Sequence, residues 1–335
     1  MSPVGRIALA LAAVAAAAAW SPGLARAQAF SVLVVQASAE ETLISVGGSQ
    51  GAATARVQVS VPAGFTLNLA RPVGAVVGRG DLELESASDP AGEGSSTLGD
   101  IVVADPARYA ADPRLQACAA GTHLAVWRVE PLDVPVFVDA ATGPDAALGG
   151  YELKVCFDLP EGLAFSGLGL DLARTVVPPT APGIYVWRAF ITPMTATGAV
   201  DEGATFEVRG LVPWPSVLTL HSRRAKAKGR YVLYGKLLLA GKPRRGATIR
   251  IVRFTQDSSG SATVTFTLGQ AQAAETSRTG RFRIPEKVTR ATVFYAFWLP
   301  FPREGCSSPS TAPGGCLTET TSPVISGRVV VKPRH

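Results

Sequence analysis

Alternating polar and apolar residues are the most regular feature of the last third of the chain. In residues 246–255, GATIRIVRFT, Ile249 and Ile251 fall on one side of an extended strand and Arg250 falls on the other. Turn-forming residues such as AGKP at 240–243 separate this segment from similar ones. The pattern predicts strands at residues 216–222, 229–240, 246–255, 261–269, 280–286, 291–300 and 327–333. Such a series of short strands joined by turns is typical of an antiparallel β-sandwich.

The first part of the chain is less regular but has the same extended character. Its pattern predicts strands at residues 31–38, 55–62, 69–77, 99–105, 123–131, 134–140, 151–160, 167–177, 183–193 and 204–210. Residues 106–120 predict one or two helical turns, interrupted by Pro113. Because the chain has 34 glycines and 25 prolines and no long helical heptads, we predict an all-β protein with two antiparallel β-sandwich domains in tandem.

The N-terminus has the layout of a secretory signal peptide. Arg6 supplies a positive charge, an apolar run covers residues 7–20, and ARA at 25–27 is a small-x-small cleavage pattern. The run is shorter than the roughly 20 apolar residues that a membrane-spanning helix needs. We therefore expect a cleaved signal peptide at 1–29, no transmembrane segment, and a secreted, extracellular mature protein that is either free or associated with the cell wall.

Charge divides the rest of the chain into two parts. The formal net charge is +6, but residues 30–211 hold 10 Lys and Arg against 21 Asp and Glu, whereas residues 212–335 hold 20 against 5. The change falls at 212–216, VPWPS, where two prolines flank Trp214. We predict an acidic N-terminal β-sandwich domain over 30–211 and a basic, immunoglobulin-like (Ig-like) C-terminal β-sandwich domain over 212–335.

Short motifs in both predicted domains resemble those of known sandwich families. Residues 234–251, YGKLLLAGKPRRGATIRI, and residues 276–284, TSRTGRFRI, resemble the hairpin and following strand of bacterial Ig-like and carboxypeptidase-regulatory-like β-sandwich domains. Residues 181–190, APGIYVWRAF, resemble the Ig-like strand that leads from a Pro/Gly turn to a tyrosine, here Tyr185. The whole chain resembles uncharacterised secreted actinobacterial-type proteins. These resemblances imply a fold and no activity.

The cysteines indicate disulfides. An even number in an exported chain favours pairing, and four cysteines allow three connectivities. Pairing within the predicted domains selects one of these connectivities: Cys118 with Cys156, and Cys306 with Cys316. Structural zinc would need closely spaced thiolates with further ligands, and the few histidines do not adjoin the cysteines. No C-x-x-C motif indicates redox chemistry. We expect no metal and no cofactor.

Three segments fit patterns of functional sites, and each has a simpler explanation. Residues 47–51, GGSQG, fit G-x-S-x-G around Ser49, but the strand-like residues that follow favour a Gly-rich loop. Residues 79–81, RGD, match the tripeptide that integrins read, and a hairpin turn is the simpler prediction. The acidic stretch 81–100 lacks the D-x-D-x-D-G series of calcium ligands, and a solvated surface loop is the simpler prediction. No catalytic residue is assigned.

A basic run at 221–231, HSRRAKAKGRY, is the most suggestive chemical feature. Its cations are candidate anion-binding residues: Arg223, Arg224, Lys226, Lys228 and Arg230. Outside a cell the available anions are wall polymers, phospholipid headgroups and acidic polysaccharides. No nucleic-acid reader motif is recognised, so nucleic acid is not expected as a partner. Two structural explanations compete: a solvated charge run, and contact with the acidic N-terminal domain of the same chain.

Together these patterns predict an exported, non-enzymatic structural or binding protein, which associates with an anionic cell-surface polymer through its basic C-terminal domain. The alternative is a secreted hydrolase, with a site built from scattered carboxylates or from Ser49 beside His123 or His221. A third hypothesis is that the protein is a passive scaffold for another exported chain.

Overall fold

A computed structural model describes most of the chain between residues 32 and 332. The described ranges are 32–47, 54–86, 95–157, 163–195, 199–227, 229–256, 262–265, 273–300, 303–304 and 318–332. The predicted signal peptide, Ser49, Lys228 and the cysteine pair at 306 and 316 lie outside them. The structure is all-β, with 60% strand and 7% helix, which confirms the predicted fold class at that level. The tandem Ig-like arrangement stays a prediction.

The chain divides into two compact units. Unit 1 comprises Met1–Ala181, Tyr185–Val212 and Phe301–Thr321, and unit 2 comprises Pro182–Ile184, Pro213–Pro300 and Ser322–His335. The main break falls between Val212 and Pro213. The late segment 301–321 belongs to unit 1.

Most strands of unit 1 belong to one large sheet. They are β1 (Val32–Ala37), β2 (Glu41–Gly47), β3 (Thr54–Val61), β4 (Thr66–Leu67), β5 (Val76–Ser86), β6 (Ser95–Ala104), β7 (Ala125–Val129), β8 (Val134–Ala140), β9 (Tyr151–Cys156), β10 (Leu163–Ala173), β11 (Val176–Val177), β12 (Gly183–Pro193), β13 (Phe206–Trp214), β23 (Arg303–Glu304) and β24 (Thr318–Thr321). The 13-stranded sheet has the order β1-β2-β10-β5-β6-β7-β8-β9-β3-β12-β13-β24-β23, and β4 pairs with β11 separately.

Alternation along the strands builds the core of unit 1. On β3, Val57 and Val59 are fully buried and lie directly opposite Ile191 and Ala189 of β12. Because residues opposite each other in an antiparallel pair share a face, these side chains enter one core together with Trp187, which is also fully buried. Each fully buried Val or Ile stabilises the fold by about 1.5–3 kcal/mol.

The large sheet curls, so that its first strand approaches β24. The Thr320 hydroxyl donates a hydrogen bond to the carbonyl oxygen of Leu33 on β1, and it also lies 3.3 Å from the carbonyl oxygen of Arg209 on β13. Thr320 is buried with 6% of its surface exposed. β24 runs parallel to β13, whereas the strand pairs earlier in the sheet are antiparallel.

The helical region of unit 1 differs in detail from its prediction. A 3₁₀ turn covers Pro106–Arg108, and helix α1 covers Pro113–Cys118; two further 3₁₀ turns cover Gly143–Ala147 and Glu202–Ala204. Pro113 begins α1 instead of interrupting a helix, because the first helical position has no use for a backbone N–H. Asp112 caps α1 by accepting a hydrogen bond from the Arg114 backbone N–H at 2.9 Å.

The RGD tripeptide lies within a strand, so the predicted hairpin turn at 79–81 is wrong. Arg79, Gly80 and Asp81 belong to β5, paired on one side with β6 and on the other with β10. A Cβ atom on Gly80 would lie 2.4 Å from a methyl carbon of Val129, and Asp81 is only 6% exposed. Pairing with β6 and β10 keeps this segment extended. The turn propensity of the tripeptide gives no information about such pairing.

Unit 2 contains two smaller sheets. Its strands are β14 (Val217–Leu218), β15 (His221–Arg224), β16 (Arg230–Leu239), β17 (Lys242–Pro243), β18 (Thr248–Gln256), β19 (Ala262–Thr265), β20 (Ala273–Glu275), β21 (Arg281–Lys287), β22 (Thr292–Trp298), β25 (Val324–Ile325) and β26 (Val329–Val331). In the five-stranded sheet, β14, β15, β17 and β21 pair with β16. In the six-stranded sheet, β19, β20 and β22 pair with β18, and β25 and β26 pair with β22.

Both sheets of unit 2 contribute to a single hydrophobic cluster. Leu233 of β16 and Ile284 of β21 come from the five-stranded sheet, and Ile251 of β18 and Phe294 of β22 come from the six-stranded sheet. All four have 2% exposure or less. Since β21 buries every second residue, its other residues must face away from this cluster.

Candidate anion-binding face

Three strands of unit 2 present a row of cations on one face. β16 pairs with β21 so that Arg230 lies opposite Lys287, and Lys236 lies opposite Arg281. Residues on the opposite side of these strands, such as Leu233 and Ile284, point into the core. Because side chains alternate along a strand, the outer face holds the cations Arg223, Arg230, Lys236, Arg281, Arg283 and Lys287, together with His221, Val232, Tyr234 and Pro285. We call this set the cationic face.

Two aromatic rings lie within the cationic face. His221 of β15 is directly opposite Tyr234 of β16, and their ring centroids are 5.5 Å apart with planes inclined by 36°. The guanidinium carbon of Arg223 lies 5.9 Å from the centroid of the Tyr234 ring. This is within reach of a cation–π interaction, which holds Arg223 against the face.

The cations of this face have no acidic neighbours in ion-pair contact. Among the described residues, none of Arg223, Arg230, Lys236, Arg281, Arg283 and Lys287 forms an ion pair, whereas several arginines of unit 1 do, such as Arg56 with Glu202 at 2.7 Å and Arg128 with Glu130 at 2.5 Å. Five of these six cations are exposed and Lys236 is half-buried. These cations repel one another, and solvent ions or an anionic ligand can offset that repulsion.

The structure separates the five predicted anion-binding residues. Arg223 and Arg230 belong to the cationic face, and Arg224 lies opposite Tyr231, on the alternate positions of the same strands. Lys226 is exposed beyond the end of β15, and Lys228 lies outside the described residues. The sequence run therefore contains only part of the set that the fold brings together.

Four cations of the face were missed by reading the sequence. Lys236 lies beyond the basic run on β16, whereas Arg281, Arg283 and Lys287 are distant in sequence and are brought beside it by the pairing of β21 with β16. The signal was the alternation in residues 281–287, RFRIPEK, which indicates a strand with one charged side. This pattern and the predicted strand at 229–240 do not identify the face by themselves. The pairing of β16 with β21 is also needed, and no local sequence pattern specifies that pairing.

The disulfide of unit 1 links α1 to β9. Cys118 is the last residue of α1 and Cys156 the last of β9, and their Cα atoms are 6.1 Å apart. Both cysteines are buried in a small cluster with Tyr109 and Phe137. This confirms the predicted pairing of Cys118 with Cys156. The predicted pair Cys306–Cys316 lies outside the described residues.

His123, named for the hydrolase alternative, lies in a buried charge network. Its Nδ1 atom is 2.7 Å from Asp139 Oδ1, and Asp139 Oδ2 accepts a hydrogen bond from Lys154 Nζ at 3.2 Å. Lys154 also contacts Glu152 at 2.9 Å, and burial raises the pKa of Glu152 against the opposing effect of Lys154. The His123 side chain is 7% exposed and packs on Phe137, with ring centroids 4.4 Å apart. This network joins β8 to β9 and is largely buried, with the Lys154 side chain 21% exposed.

Two carboxylates share one face of β5. Asp81 accepts a hydrogen bond from the Ser96 hydroxyl at 2.5 Å. Burial, together with the charge of Asp81, raises the pKa of Glu83. A glycine opposite leaves room for Glu83, because a Cβ atom on Gly167 would lie 2.6 Å from its carboxylate oxygen. The structure thus brings two carboxylates close together on one strand. Separately, the described residues contain no group of three or more His, Cys, Asp or Glu suited to a metal ion.

Comparison with known proteins gives no family. No protein-family model matches the chain, and no curated protein matches it. One solved structure that aligns with it is dimeric latent PorU from Porphyromonas gingivalis, at 11% identity over 87% of this chain and 34% of that chain, with a TM-score of 0.17. The chain thus spans about a third of the length of that protein. At this TM-score the likeness supports no conclusion. In the part of the chain that the structure describes, no helix has the length and hydrophobicity to cross a bilayer.

Proposed function

We propose that this is an exported, non-enzymatic binding protein, whose cationic face holds an anionic cell-wall or surface polymer. The observation that carries the proposal is the unpaired set of cations on one side of β15, β16 and β21. Export rests on the signal-peptide pattern at 1–29. The disulfide between Cys118 and Cys156 fits an oxidising compartment.

The spacing of the cations suits a ligand with repeated charges. Alternate residues along a strand are about 6.6 Å apart, and neighbouring strands are about 4.8 Å apart. The face is thus a grid in which several anionic groups of one chain can each meet a cation. Its other side chains are His221, Tyr234, Pro285 and the half-buried Val232, without an exposed Leu, Ile, Phe or Trp among its described residues. That composition favours a solvated polyanion over insertion into a lipid bilayer.

An Ig-like architecture for both units is part of the same proposal. In unit 2, two sheets with a common core support it, as does the tight turn at Gly280, whose φ is +73°. In unit 1, the Tyr185 hydroxyl donates to the carbonyl oxygen of Ala181 at 2.8 Å. A tyrosine bonded to the backbone a few residues upstream is a feature of many Ig-like sandwiches.

Binding to purified cell wall at increasing salt tests the polymer. We expect the wild-type protein to be retained at low ionic strength and released by salt, because exposed charge interactions are screened. The double variant R281Q/R283Q should lose most of its retention. The matched control R245Q/R278Q removes the same charge from exposed turn positions of unit 2 and should keep it. Equal retention of both variants, or binding to anionic lipid vesicles in place of wall, would contradict the proposal.

A secreted hydrolase is the second candidate, and the pair Asp81 and Glu83 is the observation that favours it. A carboxyl group with a raised pKa beside a second carboxyl group is a combination that acid–base hydrolysis of glycosides uses. Release of reducing sugar from wall polysaccharide, abolished in both D81N and E83Q, would support this function. Activity that survives either substitution would exclude this pair as its source.

A further inference from the structure

A cavity of about 240 Å³ opens in unit 2 beside the cationic face. Three cations line it, Arg253, Lys287 and Arg290, and the remaining lining residues are Val288, Thr289, Thr292 and Phe294. Lys287 lies opposite Arg230 on the cationic face. It is therefore common to the cavity lining and to the cationic face.

Local hydrogen bonds and packing explain why the cavity forms there. β21 ends at Lys287 and β22 begins at Thr292, so the lining comes largely from the turn between them. Val288 is 2% exposed, and its N–H donates to the Gly229 carbonyl at 2.9 Å. The buried Thr292 hydroxyl donates to the Arg290 carbonyl at 2.9 Å, which fixes the backbone of the turn. Arg253 reaches the cavity from β18, opposite Phe294.

The charge of the cavity is positive. No salt bridge joins Arg253, Lys287 or Arg290 to an acid among the described residues, although the charges of Arg253 and Glu286 interact. Glu286 is 5% exposed, and it alternates with Lys287 along β21, so its side chain lies on the core side of the strand. Burial raises the pKa of Glu286, with Arg253 acting in the opposite direction. At most one carboxylate therefore stands against three cations.

We propose that this cavity is a phosphate subsite, which takes one phosphate group of the polymer held by the cationic face; the proposal rests on the function proposed above. Two guanidinium groups can each donate two parallel hydrogen bonds to phosphate oxygens, and a lysine adds a point charge. The exposed hydroxyl of Thr289 is a further donor. A phosphate monoester carries about −1.5 to −2 charges at pH 7, which suits three cations better than a carboxylate does.

Calorimetric titration of the full-length mature protein tests the subsite directly, without the polymer. The ligands are inorganic phosphate, glycerol 3-phosphate as a monoester, dimethyl phosphate as a diester, and acetate, all at one ionic strength. We expect phosphate to bind more tightly than acetate. Tighter binding of glycerol 3-phosphate would identify a terminal phosphate as the group held, and tighter binding of dimethyl phosphate would identify an internal one.

Substitution of Arg290, which lines the cavity and is not part of the cationic face, separates this subsite from the face. R290Q and K287Q should each weaken phosphate binding by about tenfold or more, the loss of one charged hydrogen-bond donor. R278Q, at an exposed turn residue that does not line the cavity, should leave it unchanged. Equal affinity for phosphate and acetate, or unaltered phosphate affinity in both R290Q and K287Q, would overturn the subsite even if wall binding persists. Phosphate binding without wall binding would support the subsite and refute the polymer.

Discussion

His221 and Tyr234 lie directly opposite each other on β15 and β16, with ring centroids 5.5 Å apart, in the middle of the cationic face. Arg223 approaches the same tyrosine ring at 5.9 Å. Since these aromatic and cationic side chains pack together, contacts within the protein position His221, Arg223 and Tyr234 without a ligand. A preformed arrangement lowers the entropy that is lost when a ligand binds.

Tyr234 is therefore expected to contribute to binding through its ring. Removing the ring in Y234A should weaken retention on cell wall by about two- to fivefold, the size of one exposed cation–π contact. Y234F keeps the ring and should retain wild-type affinity. The measurement is the salt concentration that releases each variant from purified wall. If Y234A elutes with Y234F, the ring has no role in the binding.

Much of the strand content, by contrast with this face, could be read from the sequence. The predicted strand at 183–193 is the observed β12, and that at 229–240 differs from β16 by one residue at each end. Both have strong alternation bounded by turn residues, which is local information. Pro113 and the RGD segment were misread because a helix start and a doubly paired strand depend on context beyond the motif.

The sheet order of unit 1 and the full cationic face could not be read from the sequence. β10 lies between β2 and β5, although β2 and β5 end 116 and 77 residues before β10 begins. Likewise Arg281 reaches Lys236 only through the pairing of β16 with β21. Such pairings are set by the packing of the whole core, and no local pattern specifies the register. The candidate phosphate cavity adds a third element, β18, through Arg253.

Glu207 should stabilise the protein at neutral pH. Burial alone would raise its pKa, but hydrogen bonds from Arg209 and Arg188 outweigh burial and lower it. A lowered folded-state pKa means that the stabilisation is present above the unfolded pKa, near 4.5, and is lost as the pH falls through the folded value. E207Q should cost about 1–2 kcal/mol at pH 7, with a smaller difference at pH 3.5.

Urea unfolding at both pH values measures this effect. The control is E40Q, because Glu40 pairs with Arg174 on the surface, where both side chains are about 70% exposed. Exposed pairs contribute about 0–1 kcal/mol, so E40Q should change little at either pH. A cost for E207Q that is the same at pH 7 and pH 3.5 would contradict the role of its charge.

Glu83 should show the opposite pH dependence. Burial and the nearby Asp81 raise its pKa, so the folded state favours the protonated carboxyl. The stabilisation is then complete below the ordinary value of 4.5 and is lost as the pH rises through the folded pKa. E83Q, which stays neutral, should be more stable than wild type at pH 7 and equal to it near pH 4. The measurement is the thermal unfolding midpoint of both proteins between pH 4 and pH 7. A wild-type protein that is more stable than E83Q at pH 7 would refute the expectation.

The bond between Cys118 and Cys156 should contribute a large share of the stability of unit 1. It closes a loop with a sequence separation of 38, for which the chain-entropy relation gives about 4 kcal/mol. C118A/C156A should therefore lower the free energy of unfolding by about that amount without reductant present. Peptide mass mapping of the non-reduced protein checks the linkage itself. Recovery of Cys118 joined to Cys306 or Cys316 would contradict the structure.

Gly280 places β21, and with it half of the cationic face, through a turn that only glycine fits. Its φ is +73°, and a Cβ atom would lie 2.5 Å from the carbonyl oxygen of Leu237. Gly246 has a φ of +67° but nothing within 4 Å of its Cβ position, so it is a matched control. G246A should cost about 1–2 kcal/mol for the backbone alone, and G280A should cost more. Because Arg281 follows immediately, G280A should also weaken wall retention, whereas G246A should not; equal unfolding midpoints for the two variants would show that the close approach to Leu237 does not constrain the turn.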